Sequence, residues 1–396
     1  MEEIVVVSTA RTPFGKFGGS LINMKAPELG GLAIKEALRR AGITGKAVDE
    51  VIMGDVITAG QGQVPARQAE ILGGIPHHVP SFTINKVCGS ALKAVTLATQ
   101  IMKAGDAGVI VAGGMESMSN APFSVPGARW GHRMNNGTLV DNMVHDGLWC
   151  PENDVHMAVI GGQVAKEYGV TREEQDHWSY RSQMRWKKAE EEGFFNEERF
   201  PIEIKEKKST RIFDKDESPR PDTTLDGLAA LKPVFDPDGS VTAGNAPGVN
   251  DGASAVVLMT RKKAKELGAP ILATIKGYAQ ASRESRYIST VPGLSIQALM
   301  KQHGLTLADI DRIEINEAFA AVPLVSGRVL GMTYDEMDAK INVNGGAVAV
   351  GHPIGATGAR ILMTMINELR RSHLKNGICA ICSGMGQGDA VWVSVE

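Results

Sequence analysis

The chain has little of several things, and each shortage excludes a class of protein. Only four of its 396 residues are cysteine, too few for a disulfide scaffold, so a reducing, cytoplasmic compartment is expected. Net charge is −3, from 42 basic and 45 acidic side chains, which gives no electrostatic case for nucleic acid or an anionic membrane surface. No apolar run approaches the roughly 20 residues of a membrane span. The opening Met1-Glu2-Glu3-Ile4-Val5 lacks the basic flank of a signal peptide, and the closing Ser394-Val395-Glu396 carries no peroxisomal or retention address.

What is plentiful is glycine: 45 residues, which predicts many tight turns and close backbone approaches. The length suggests two or three packed units rather than one simple core. The first part reads as α/β. A strand over Ile4 to Ser8 precedes a helix from about Pro27 to Ala41, ended by Gly42. A strand Val51 to Ile57, a helix Pro65 to Leu72, a short buried strand Ser81 to Asn85, a helix from Ser90 to Ala104 and a strand Val109 to Ala112 follow. This alternation predicts a mainly parallel sheet covered on both faces.

From about Ser119 to Asn250 glycine, proline and charge dominate, as in an insertion folded over the core. Thr171-Arg172-Glu173-Glu174 is a capping box opening a helix closed by Gly193, and its charged run from Arg185 onward reads as a solvated face. The last part returns to α/β and echoes the first. Gly42-Ile43-Thr44 then Asp49-Glu50-Val51-Ile52 matches Gly304-Leu305-Thr306 then Asp311-Arg312-Ile313-Glu314 at equal spacing. Two copies of one unit would set Cys88 and His352 at matching strand-to-helix turns, meeting where the copies pack.

Cys88, in Lys86-Val87-Cys88-Gly89-Ser90-Ala91, lies at a helix N-terminus, where free N–H groups favour a thiolate. It reads equally as a small buried hydrophobe. His352, before Pro353, is held out of helical geometry and could deprotonate a nearby cysteine or simply bond backbone in a tight turn. Cys379 and Cys382, three apart in a strand, point to opposite faces, which argues against a zinc or redox pair. Cys382 then stands alone beside Ser383-Gly384-Met385-Gly386, whose N–H groups could bind an oxyanion. Asn316 reads either as a polarising amide or as a helix cap.

With these residues in hand the chain resembles the thiolase family from end to end. The motifs that carry the resemblance are Asn85-Lys86-Val87-Cys88-Gly89-Ser90, Gly113-Gly114-Met115-Glu116-Ser117, Asn316-Glu317-Ala318-Phe319-Ala320, Gly351-His352-Pro353 and Cys382-Ser383-Gly384. The resemblance implies a five-layer α-β-α-β-α core of two similar halves. Residues 1–118, completed by about 249–268, would form the first half and 269–396 the second, with 119–248 a loop domain that binds coenzyme A. It implies reversible condensation of two acetyl-CoA to acetoacetyl-CoA, with coenzyme A thioesters as substrates and no cofactor or metal. Cys88 would become the acyl thioester, His352 would take its proton, and Cys382 would serve the α-carbon as acid or base. Asn316, through a water, and His352 would stabilise the enolate, while the N–H groups of Cys88 and Gly384 would hold the tetrahedral oxyanion.

For coenzyme A the resemblance points to Leu148, His156, Met157, Arg220, Phe235, Ala243, Pro247 and Phe319. Pro247 replaces a frequent serine, Ile288 a frequent methionine, Met385 a glycine and Gly227 a serine; these bear on chain-length specificity rather than reaction type. A degradative 3-ketoacyl-CoA thiolase taking longer chains is the nearest rival, and a non-catalytic acyl-CoA-binding relative is the rival of another class. The resemblance also implies a homotetramer, with Pro126 to Asn136 a contact loop.

Overall fold

The computed structural model describes residues 2–205 and 209–396. The first part contains β1 (Ile4–Arg11), β2 (Gly15–Lys16), α1 (Ala26–Ala41), β3 (Glu50–Gly54), α2 (Pro65–Leu72), β4 (Ser81–Ile84), α3 (Ser90–Ala104) and β5 (Val109–Ser117). The middle segment carries α4 (Met157–Glu167) and α5 (Arg172–Glu191). Then come β6 (Asn250–Thr260), β7 (Ala273–Ser282), α6 (Val291–His303), β8 (Arg312–Ile315), α7 (Ala321–Val329), α8 (Thr357–Arg371), β9 (Asn376–Ser383) and β10 (Gln387–Ser394).

These strands form one sheet in the order β8-β9-β10-β7-β1-β6-β5-β3-β4, with β2 beside β6. It is mixed, not mainly parallel: β3–β4, β3–β5 and β8–β9 pair in parallel, while β1, β6, β7 and β10 pair antiparallel with their neighbours. The expectation failed because two strands arrive without a helical crossover. β6 returns from the middle segment to run between β1 and β5, and β9–β10 is a tight hairpin. Within the first set, strands numbered along the chain lie in the order first, fifth, fourth, second, third. The second set repeats this order, its third strand reduced to a single parallel bridge from Ile341 to Ile313.

Alternation within strands builds the layers. Ile4 and Val6 of β1 face a central core with α3 and α8, whereas Val5 and Val7 face an outer core with α1. In β9, Cys379 and Ile381 join the central core while Ile378, Ala380 and Cys382 face the other outer core with α6 and α7. Strands buried on both faces read as continuous apolar runs. Helices and sheet faces therefore stack as α-β-α-β-α, and α8 is buried from Thr357 through Leu369.

Three local expectations need correction. β4 is a half-buried edge strand, not a buried one. β3 stops at Gly54, because Val56 and Ile57 turn their N–H groups onto the Glu116 carboxylate. Arg185 on α5 is not simply solvated but pairs with Asp338 at 2.9 Å. The capping box of α5 forms as expected, and the helix buries Trp178 and Trp186.

Arg11 anchors the middle segment to the core. Its guanidinium meets Asp216 at 2.7 Å and Glu198 at 3.0 Å, with all three side chains buried. Burial opposes its charge, but the two carboxylates outweigh burial and hold it protonated. Replacing Arg11 with methionine strips the buried Glu198 of its ion-pair partner and leaves Asp216 with Arg199 alone, and should destabilise the fold by about 3–5 kcal/mol. Urea unfolding should show a lower midpoint with unchanged slope, whereas an unchanged midpoint would remove Arg11 as the anchor.

Candidate active site

The Cys88 turn is built by its own hydrogen bonds. Ser90 Oγ accepts the Lys86 N–H at 2.8 Å and donates to the Val87 carbonyl at 2.7 Å, and Asn85 Oδ1 accepts the Val87 N–H at 2.9 Å. Val87 is thereby held at φ 46°, a left-handed conformation that disfavours a β-branched residue. The turn leans on the β9–β10 hairpin: Lys86 Nζ bonds Asp389 at 2.6 Å. A Cβ at Gly89 would lie 2.1 Å from Ser383 Oγ, so glycine is required for this approach. A Cβ at Gly384 would meet Val87 at 3.0 Å, which places that turn against the Cys88 turn. Neither Cys88 nor Gly384 gives its N–H to another residue's carbonyl among the described residues.

His352 enters from the second half. Its N–H is fixed by Asn250 Oδ1 at 2.9 Å. Nδ1 lies 2.7 Å from Thr357 Oγ1, and that hydroxyl donates to the Pro353 carbonyl at 3.0 Å. The hydroxyl proton is thus spent, so the network assigns the imidazole proton to Nδ1 and leaves Nε2 as the basic nitrogen. Asn316 Nδ2 approaches Nε2 at 3.4 Å, and Asn316 Oδ1 is buried without a partner. Asn316 precedes α7 by several residues and caps nothing, so the helix-cap reading falls.

Burial dominates the electrostatics. It pushes the Cys88 thiol up to about 12, partly offset by the residue's own N–H and reinforced by the charge of Glu116. Burial, then the Cys88 thiol, also raises Cys382. Burial and the Arg360 charge lower His352 to about 3. Burial thus opposes the thiolate expected from the helix terminus and favours the uncharged thiol and imidazole.

Cys88 and His352 line one cavity of about 680 Å³. Leu148, His156, Met157, Arg220, Phe235, Ala243, Pro247 and Phe319 line it too, with Ile288 and Lys16. His156 caps α4, its Nδ1 accepting the Ala158 N–H at 3.1 Å, and its ring stacks on Phe235 at 3.8 Å. Burial lowers His156 to about 4, so it presents a neutral Nε2–H. Gly227 lies away from this lining, and Met385 adopts φ 63°, the left-handed conformation a glycine would take freely. Among the described residues no group of His, Cys, Asp or Glu is gathered to hold a metal, and no helix is long and apolar enough to cross a membrane.

Residues 4–262 match the model of the thiolase N-terminal domain, and residues 269–395 that of the C-terminal domain. The chain belongs to the thiolase family. It is 50% identical to an acetyl-CoA acetyltransferase of Cupriavidus necator over 394 residues, 99% of each chain. It is 49% identical to one of Pseudomonas aeruginosa over 392 residues, again 99% of each. The crystal structure of the Bacillus anthracis acetyl-CoA acetyltransferase superposes with a TM-score of 0.96 at 40% identity, covering 100% of this chain and 99% of that one.

Several residues of this thiolase site were not singled out from the sequence. Asn250, Thr357 and Lys16 carry no local signature: Asn250 acts through a partner distant in the chain, Thr357 through the turn five residues before it, and Lys16 through the cavity wall. Glu317 stood within a motif, yet its role is long-range. Its carboxylate accepts from Trp178, Ser182, Asn342 and the Val348 N–H at 2.8–3.0 Å, tying α5 to the segment that leads into His352.

The neutral histidine makes a pH prediction. Its folded value, about 3, lies below the ordinary 6.5, so the unfolded chain binds the proton first. The stability it contributes is full above about 6.5 and is lost as pH falls towards 3. Chemical denaturation at about pH 7 and pH 5 should show a larger loss for the wild type than for His352→Asn. Equal losses would contradict the buried neutral imidazole.

Proposed function

We propose that this thiolase is an acyltransferase that reversibly condenses two acetyl-CoA to acetoacetyl-CoA and coenzyme A. The observation that carries the proposal is one cavity wall holding Cys88, His352 and the eight residues expected to contact coenzyme A. Both 99%-covered relatives quoted above carry the name acetyl-CoA acetyltransferase, which supports the short-chain reading. The residues 119–248 are taken as the unit that supplies most of the coenzyme A contacts, with Phe319 from the second half.

In the cleavage direction Cys88 Sγ attacks the 3-keto carbonyl of acetoacetyl-CoA while its proton passes to His352 Nε2. The tetrahedral oxyanion is received by the N–H groups of Cys88 and Gly384. One good oxyanion donor is worth roughly 3–4 kcal/mol of barrier. The C2–C3 bond then breaks, its electron pair moves into an enolate, and Cys382 delivers a proton to the α-carbon. The protonated His352 and Asn316, through a water held at Oδ1, face the enolate oxygen. Acetyl-CoA leaves, and the thiol of a second coenzyme A takes the acetyl group from Cys88, which predicts ping-pong kinetics. Arg220 is assigned to the nucleotide end, and His156, Met157 and Phe235 to the pantetheine and acyl end.

The enzyme is expected in the cytoplasm, where its free cysteines stay reduced, and as a homotetramer. Trp130 and Met134, each 85% exposed, lie in the contact loop and favour that assembly. Light scattering that reports a monomer would overturn it.

Cys88→Ala should abolish turnover while acyl-CoA binding persists, since the thiol is consumed in chemistry and not in holding the nucleotide. Residual turnover at the wild-type rate would remove Cys88 as nucleophile. Coenzyme A-dependent cleavage should favour acetoacetyl-CoA over a long-chain 3-ketoacyl-CoA. Comparable long-chain cleavage would assign the enzyme to the degradative branch and point to Ile288 and Pro247 as the residues that open the pocket.

A further inference from the structure

The geometry around Glu116 points to a device that the mechanism above does not use. Glu116, at the end of β5, is fully buried. Its Oε2 accepts the N–H of Val56 at 3.1 Å and of Gly355 at 2.9 Å, and its Oε1 accepts the N–H of Ile57 at 3.1 Å. Gly355 is three residues beyond His352. One carboxylate thus pins the histidine's turn, from the second half, to the loop after β3 in the first. The backbones are in close contact there: a Cβ on Gly114 would stand 1.9 Å from the Gly355 carbonyl oxygen, and one on Gly54 2.8 Å from it. The same Gly54 position would meet the Ser90 Cβ, so the Cys88 helix seats on this floor as well.

Asp55 supplies the second observation. It is fully buried, its Oδ1 accepts from Gln61 Nε2 at 3.3 Å, and its Oδ2 has no hydrogen-bond donor. Beside it stands the Glu116 carboxylate, already receiving three N–H groups. Burial raises both acids, Asp55 further held up by the charge of Glu116, and a proton on Asp55 directed to Glu116 satisfies the orphaned oxygen. Among the described residues outside the pair, Cys88 is the titratable group that feels the Glu116 charge. Cys88 in turn faces Cys382 and shares its cavity with His352.

We propose that Asp55 and Glu116 form a carboxylic acid–carboxylate pair that positions the His352 turn against the Cys88 turn. The pair keeps a single negative charge near the nucleophile, and that charge is spread over three backbone N–H groups. Both are positioning residues; neither reaches the cavity lining. The inference rests on the thiolase reading for its activity readout.

The test uses four variants of the full chain. Glu116→Gln puts an amide among three donors and should lower kcat roughly 100-fold while KM for acetoacetyl-CoA holds, because a displacement near 1 Å costs about that much. Asp55→Leu should also lower kcat, and Asp55→Asn, whose amide can donate to Glu116 and accept from Gln61, should restore most of it. Alkylation of Cys88 by iodoacetamide at a fixed alkaline pH separates positioning from loosening. It should quicken when Glu116→Gln is combined with Asp55→Asn, where no carboxylate remains, and not in Asp55→Leu, where the charge remains. Unchanged kcat in Glu116→Gln, equal activity of the two Asp55 variants, or equal quickening in both lines would overturn the proposal. Where Glu116→Gln does not fold, the Asp55 pair decides alone. Alkylation needs no substrate, so a wild type without acetoacetyl-CoA cleavage would refute the assigned reaction and leave this test standing.

Discussion

Desolvation of the Cys88–His352 pair is the constraint on which the rest of the structure depends. A thiol and an imidazole in water would exchange their proton readily and react with much besides substrate. Burial favours the uncharged form of both, and in the proposed mechanism the proton passes between them only as a carbonyl is attacked. Such a pair gains nothing from mutual charge attraction at rest, so its geometry has to be imposed by the surrounding backbone. The tight turns, the glycines at points of close approach and the buried hydrogen-bonded carboxylates all serve that imposition.

The imposed geometry comes from two chain segments that meet only because the fold repeats itself. α3 and α8 lie back to back in the central layer, each following the third strand position of its own set, and their N-terminal turns converge above β3 and β5. Glu317 and Arg11 then link the middle segment, which lines much of the cavity, to this arrangement. Under the proposed coenzyme A assignment, nucleotide binding and chemistry are joined through buried carboxylates. The contacts of a long coenzyme can thereby contribute to orienting the thioester at its far end.

Much of this was legible in the sequence, for physical reasons that differ by element. Helices announce themselves through caps and periodicity, and α2 spans Pro65 to Leu72 as the spacing predicts. The internal echo places Cys88 and His352 at corresponding turns, and the period-two alternation separates Cys379 from Cys382. Sheet direction was not legible, because the antiparallel course of β6 depends on how the middle segment returns and not on any property of Asn250 to Thr260. The burial that opposes a Cys88 thiolate was not legible, because a helix N-terminus is a local feature and burial a global one. The supporting residues Asn250, Asp55 and Glu116 are ordinary polar side chains whose meaning lies in partners far along the chain, and Thr357 gains its meaning only from the turn it closes.

The central claim is that the acyl group passes through a thioester on Cys88, and it is most directly tested by trapping that thioester. The protein would be mixed with acetyl-CoA, quenched in acid within a turnover, digested and mapped by mass spectrometry. Acetyl mass on the peptide containing Cys88, lost on adding coenzyme A before the quench, is the expected result. An unmodified Cys88 under conditions of turnover, or acetyl mass on Cys382 instead, would contradict the account.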